Sequence, residues 1–419
     1  MAMGSPRIGS SHFASGLDIQ LAGARYVGCL ENISVPAAEL IEAGLHAAAR
    51  SGPYTRVGLL PNSGARRWTF ESRLSPAIRA LPREVADTGS AAVVQYIRRQ
   101  SAVRRPFEVH VSDRHIAVDV DHGLGDARLF VDFVHALFTM RDGRNPRWIA
   151  EPDTRFALSR ALVRTFAVHP SRVASASRRA LMSRTGTAHA EIATDPMPWS
   201  PSVAVEDLHL GAEYGQAVDR WREANAPKVG RAATWLMIVR RALAATGVDI
   251  ADTVRLVIDC RRYLPRGRRV NDNFIFGLKV LAPADKALTD VGREIKEQVA
   301  SGFPVLAMGL VSARSLAWPA PQSPGVPCVW RPGSPADMVY SDVGPLTPFD
   351  DGPWRPNEPK VVSALLDPAS PSHVSVFTGM IGGERTISFT FHDNVYDRNS
   401  IRKAVDAIRS DPIGFLELR

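Results

Sequence analysis

The chain has 419 residues, of which 45% are hydrophobic and 22% charged, with a formal net charge of +8. Such a length predicts two or three domains, each with its own core, and such a composition excludes global disorder. No apolar run reaches the roughly 18–20 residues of a membrane span, no apolar h-region marks a secretory signal, and no dense basic run interleaves with aromatics. A membrane span, export and nucleic-acid binding are therefore not expected. Arg supplies 45 of the 51 basic residues; this reads as a compositional bias spread over solvated faces, with attraction of an anionic partner as the rarer outcome. Cys29, Cys260 and Cys328 are odd in number and far apart, which fits neither a disulfide framework nor a zinc site and points to a reducing cytoplasm.

In chain order, Ser34 is placed to cap a helix over Val35–Arg50, with Leu40, Ile41 and Leu45 on its inner face. A second helix is expected near Ala91–Arg99. Phe107–Val111 and His115–Asp121 then read as a hairpin, the second run alternating apolar and polar residues. A helix from about Asp126 to Met140 carries a wide stripe of Leu129, Phe130, Phe133, Val134, Leu137 and Phe138. The stretch 185–203 has weak periodicity and several breakers and reads as a linker. Beyond it come an amphipathic helix, Ala232–Thr246, and a strand, Thr253–Asp259. Six prolines between Trp318 and Ala336 predict an irregular loop. His373–Thr378 and Arg385–His392 flank Gly382-Gly383 as a hairpin with one buried face, and Ser400 is placed to cap a last helix, Ile401–Arg409. The pattern is two mixed α/β halves.

The stretch Ile116–Leu137, IAVDVDHGLGDARLFVDFVHAL, holds the chemistry. A strand ends at Asp121-His122, a glycine-containing turn follows, and Asp126 opens an apolar helix. His122 thus stands where a rigid strand stops. An imidazole in that position suits general-base work. Gly123 and Gly125 leave room for a ligand or for positive φ, and Asp126 can accept first-turn amides or pair with an Arg. For an isolated His-x-x-x-Asp spacing, a satisfied turn histidine followed by a plain N-cap is the commoner outcome. A dinucleotide fingerprint in Gly-Leu-Gly-Asp-Ala-Arg lacks its third glycine, Arg128 standing there. His110, His115 and His135 make no metal-ligand spacing, so no metal is expected.

The same stretch resembles the H-H-x-x-x-D-G motif of CoA-dependent acyltransferases and condensation domains, with Asp121 for the first His and Ala127 for the Gly. Three further segments, in order, are similar to that superfamily: VRLVIDCRRYLPRGRRVNDNFIFG with Asp259, Arg261, Asn273, Phe274 and Gly277; DMVYSDVG with Ser341, and with Asp342 for Asn; and the closing hairpin and helix. The resemblance spans about residue 16 to the C-terminus. It implies a mixed α/β fold of two chloramphenicol-acetyltransferase-like domains with a tunnel between them, residues 1–185 and 204–419, joined by 186–203.

The implied activity is transfer of an acyl group from a CoA or carrier-protein thioester to a hydroxyl or amine of a specialised metabolite or lipid. His122 would be the general base and Asp126 its partner in the motif. Gly123, Gly125, Asn273 and Ser341 would meet substrate, while Asp121, Asp259 and Arg261 would support the loop. The acyl-CoA or phosphopantetheine-linked donor would be a substrate, with no cofactor bound permanently. Expected partners are a small-molecule acceptor and, as an alternative donor, an acyl carrier protein, with the chain a cytoplasmic monomer. The competing reading is a non-catalytic condensation-like module that docks a carrier protein.

Overall fold

A computed structural model describes residues 10–100, 104–182, 194–318 and 329–417. Two mixed sheets carry the architecture. The first has five strands in the order Val361–Leu366, Arg25–Glu31, His115–Asp121, Phe107–Val111 and Ile78–Ala80. Its neighbours are antiparallel except for the last pair. The second has six, in the order Ile275–Leu281, Thr253–Asp259, Asp337–Pro345, His373–Ile381, Glu384–His392 and Val203–Leu210, parallel on both sides of Asp337–Pro345. Ser10–Phe13, Arg67–Phe70 and Leu59–Leu60 form a small third sheet. Val329–Trp330 pairs with Met197–Pro198, so strand pairing reaches both the expected linker and the proline-rich stretch. The remainder of those two segments, 186–193 and 319–328, lies outside the described residues, as does Cys328.

Strong periodicity is matched by structure. The strands Phe107–Val111, His115–Asp121 and Thr253–Asp259 and the helices Ser90–Arg99, Ala127–Arg141 and Arg231–Ala245 stand where the pattern places them. Phe130, Phe133 and Leu137 of the helix after His122 pack on the first sheet with Val118 and Val120. Trp235, Leu236 and Ile238 pack on the second with Leu256, Tyr340, Ile387 and Phe389.

Helix starts differ at two places. The first long helix is Ala38–Ser51, not Val35–Arg50, and Ala37 gives no side-chain cap. Pro36 is the cause, because a residue before proline is pushed out of the α region; Ser34 instead donates its amide to the Pro353 carbonyl at 2.7 Å. The last helix begins at Arg398. Its cap is Asp397, which accepts the Asn399 amide at 3.1 Å, and not Ser400.

The closing hairpin also differs from expectation: both of its faces are buried. Thr386, Ser388 and Thr390, on the polar side, are no more than 1% exposed. The strand Val361–Leu366 lies over them, and its Val362 and Ala364 amides donate to Thr386 Oγ1 and Ser388 Oγ. That strand comes from the second half of the sequence and forms the edge of the first sheet. The hydroxyl-bearing face is therefore a contact between sheets.

The N-terminal helix Gly16–Leu21 is fixed by a capping box between Ser15 and Asp18. It packs against the helix Phe303–Ala317. A Cβ on Gly16 would lie 2.0 Å from the Ser312 carbonyl oxygen, so only glycine admits this approach. Gly16→Ala is expected to destabilise the fold by about 1–3 kcal/mol, read as a lowered denaturation midpoint; an unchanged midpoint would show that the helix does not dock this closely.

Candidate active site

His122 follows the strand His115–Asp121 directly and opens a single 3-10 turn, His122–Leu124. The residue is 8% exposed. Its amide donates to the Ala24 carbonyl at 2.8 Å, which anchors it to the start of the neighbouring strand. The Tyr26 ring meets the imidazole edge-on at 5.3 Å, and the Tyr26 hydroxyl donates to the Asp126 carbonyl at 3.0 Å. Nδ1 is buried without a hydrogen-bond partner among the described residues. No described residue hydrogen-bonds Nε2 either. The ring is therefore oriented by packing, and its nitrogens are left unengaged.

All three carbonyls of the turn are held. Asn273 Nδ2 donates to the His122 carbonyl at 2.7 Å. Arg56 donates to the carbonyls of Gly123 and Leu124, at 3.2 and 2.6 Å. Arg56 is fully buried, and the same guanidinium reaches Asp18 at 2.8 Å and Asp272 at 3.0 Å. Asp18 closes the circuit by accepting the Asn273 backbone and side-chain amides at 3.1 and 2.9 Å. His12 Nε2 lies 3.1 Å from Arg56 Nη1. Burial and then the Arg56 charge push His12 down to about 4, so the neutral ring accepts there. Arg56 itself has φ 70, a left-handed conformation uncommon outside glycine, closing the 3-10 turn Pro53–Thr55.

Asp126 caps the helix Ala127–Arg141 by accepting the Arg128 amide at 3.1 Å. Its other oxygen accepts the Phe274 amide at 3.1 Å and Arg261 Nη1 at 2.9 Å, with both side chains of the ion pair at most 10% exposed. Arg261 also donates to the carbonyls of Val270 and Asp272 and to Asp259 at 3.2 Å. Burial alone would lower the Arg261 pKa, but Asp126 and Asp259 outweigh it and hold the guanidinium above its ordinary value. Asp259, more than half exposed, also caps the short turn Cys260–Tyr263.

The remaining expected residues fall as follows. The Asp121 carboxylate accepts the Gly123 amide at 2.9 Å and the Gly23 amide at 3.1 Å, so it fastens the turn. Gly123 and Gly125 are a correction: neither has positive φ in the left-handed region, and the space each leaves is filled by protein. A Cβ on Gly123 would meet Ala22 at 2.9 Å, and one on Gly125 would meet the Asn271 carbonyl at 2.8 Å. Asn273 is 2% exposed, with its Nδ2 committed to Asp18 and the His122 carbonyl and its Oδ1 without a partner among the described residues. Ser341 lies on the second sheet opposite Phe377, its hydroxyl in no hydrogen bond among the described residues. Beside it Asp342 accepts the Gly344 amide at 2.8 Å, and burial raises its pKa.

The sequence reading missed Arg56, Asp18 and Asp272. His110, set aside there for want of a metal-ligand spacing, stands with Glu108 and Asp119, and the ligand atoms of the three lie within 4.8 Å of one another. As metal ligands they are compromised, because Arg25 and Arg104 take both Asp119 oxygens and Arg79 takes Glu108. One further carboxyl, Asp153, flanks the Arg56 network beside Asp272. Burial and then the charge of Asp272 push Asp153 up to about 7; burial pushes Asp272 up to about 6, with Arg56 opposing.

No family model matches the chain, and a search of curated proteins finds no match. Solved structures do match along its length. The trichothecene 15-O-acetyltransferase TRI3 from Fusarium sporotrichioides has a TM-score of 0.63 at 12% identity, covering 99% of this chain and 97% of that one. The condensation domain from the Monacolin K polyketide synthase MokA has a TM-score of 0.58 at 11% identity, covering 99% of each chain. F. sporotrichioides TRI101, solved with coenzyme A and T-2, has a TM-score of 0.56 at 10% identity, covering 96% of this chain and 98% of that one.

Two predictions follow from the buried charges. Arg56→Met leaves Asp18 unpaired and is expected to cost about 3–5 kcal/mol, with Asp18→Asn in the same chain recovering part of it; chemical denaturation of the single and double variants measures this. Asp153 has a folded pKa raised above its unfolded value, so its contribution to stability is present at low pH and is lost as pH rises from about 4 to about 7. Asp153→Asn is therefore expected to match the parent near pH 4 and exceed it above pH 7 in thermal melts.

Proposed function

We propose that this chain, which has the chloramphenicol-acetyltransferase-like fold of CoA-dependent acyltransferases and condensation domains, is itself an acyltransferase. In this reading it moves an acyl group from the thioester of CoA, or of a carrier protein's phosphopantetheine, to a hydroxyl or amine of a small metabolite or lipid. In the same reading residues 1–185 and 204–419 form its two domains, with 186–203 between them, Val361–Leu366 of the second completing the sheet of the first, and the site at their junction. The observation that carries the reading is His122: an imidazole with no hydrogen bond to either ring nitrogen among the described residues, on a turn whose every carbonyl is held by Arg56 or Asn273.

Nε2 takes the proton of the acceptor hydroxyl or amine as that atom attacks the thioester carbonyl carbon. The tetrahedral adduct collapses with cleavage of the C–S bond, and the imidazolium returns the proton to the departing sulfur. No acyl-enzyme is required, because the thioester is already activated. General-base help of this kind is worth ~10²–10⁴ in rate, and the in-line placement of two substrates supplies the larger share. Asp126 acts through Arg261 and the Phe274 amide to fix the turn, not on substrate. Asp121, Asp259 and Arg261 are positioning residues in the same sense. Ser341 is assigned to the substrate-facing wall of the second domain. The proposed setting is a reducing cytoplasm, which suits the free buried thiols of Cys29 and Cys260, with the chain a monomer.

His122→Ala is expected to lower thiol release from an acyl-CoA panel, or from acylated carrier protein, by ~10²–10⁴-fold while thermal melting stays at the parent value. Undiminished turnover in that variant would end the reading; loss with only one of the two donors identifies which thioester is used.

A further inference from the structure

Arginine is not spread evenly over this chain. Residues 154–182 hold six Arg and no Asp or Glu, so 29 residues carry +6 of the +8 net charge and the other 390 carry +2. The other 39 arginines are scattered among acidic residues that nearly balance them, as expected; this stretch differs in having no acidic residue. The stretch forms two helices, Ala157–Phe166 and Ser171–Met182, both packed against Phe303–Ala317. Their inner sides bury Ala161, Thr165 and Ala176.

The outer sides are unusual for a face in water. Phe156, Val163, Val168, Val173 and Leu181 are between 47% and 78% exposed. With Leu310 and Trp318 at the neighbouring helix, they make seven of the twelve large apolar side chains exposed among the described residues. The cations beside them are largely unspent. Arg164 donates to the Leu264 carbonyl and Arg179 pairs with Glu297. The guanidinium groups of Arg155, Arg160, Arg172 and Arg178 have no partner among the described residues.

We propose that these two helices are a docking surface for an anionic lipid bilayer. A helix lying in the membrane interface buries apolar side chains about 5–10 Å deep while its basic residues meet lipid phosphates. Arg satisfies both needs, its stem lying along apolar surface and its head reaching outward. The charge is complementary to anionic headgroups and close to exhausts the net charge of the chain. The apolar residues are spaced by arginines along the outer sides of two helices, which a fluid surface accommodates by moving around them. An acidic protein partner matches the charge but needs a fixed apolar complement to each side chain. This inference stands independently of the proposed acyl transfer; if both hold, the enzyme meets a substrate dissolved in the bilayer.

The test is co-sedimentation of the full chain with phosphatidylcholine vesicles and with phosphatidylglycerol-rich vesicles. Binding is expected to the second at least ~10-fold above the first, and to fall with added salt. The triple variant Arg155→Glu, Arg160→Glu, Arg178→Glu is expected to lose ~100-fold or more in partition, and Val163→Asp to weaken it with the charge intact. All four positions are exposed, so circular dichroism and thiol release with soluble substrates should be unchanged. Absence of the parent chain from the phosphatidylglycerol pellet, or parent-like sedimentation of the triple variant, overturns the proposal. Vesicle-free parent chain that instead binds an acidic carrier protein through the same arginines overturns it too, and reassigns the surface to a protein.

Discussion

The arrangement around His122 depends on two buried arginines that trade partners across the molecule. Arg56, early in the chain, reaches Asp272 in the second half; Arg261, in the second half, reaches Asp126 beside the histidine. A buried guanidinium is costly to desolvate and persists only where its donors are nearly all satisfied. Here they are, by carboxylates and by backbone carbonyls of the very turns they bring together. The turn His122–Leu124 is consequently not a free loop on one sheet. Its shape is a joint property of both halves, and neither half alone supplies all the groups that hold it.

This explains what the amino-acid order revealed and what it concealed. His122 and Asp126 were legible because strand end, glycine turn and helix cap follow one another within a few residues. Arg261 was legible through its likeness to a known motif. Asp18 and Arg56 were not, since nothing local distinguishes an acidic residue inside a capping box, or one arginine among 45, from its neighbours. Their roles arise from contacts 38 to 255 residues away. The errors in the readable part have equally concrete causes. Pro36 moved one helix start and Asp397 outcompeted Ser400 at another. Gly123 and Gly125 gave their space to Ala22 and Asn271 rather than to a ligand.

The hairpin near the C-terminus makes the same point for the fold. Alternation of Ile387, Phe389 and Phe391 with Thr386, Ser388 and Thr390 correctly indicates a strand. It misleads about exposure, because the polar side is capped by another strand, Val361–Leu366. Hydroxyls on that side accept amides of the covering strand, so polarity serves a contact between sheets instead of solvation.

That covering strand has a bearing on how the chain is made. Val361–Leu366 pairs with Arg25–Glu31, across more than three hundred residues of sequence. During synthesis the N-terminal sheet emerges with Arg25–Glu31 as an open edge, rich in unpaired amides and backed by apolar residues, long before its final neighbour leaves the ribosome. The nascent protein must therefore survive an interval with a sticky border uncovered.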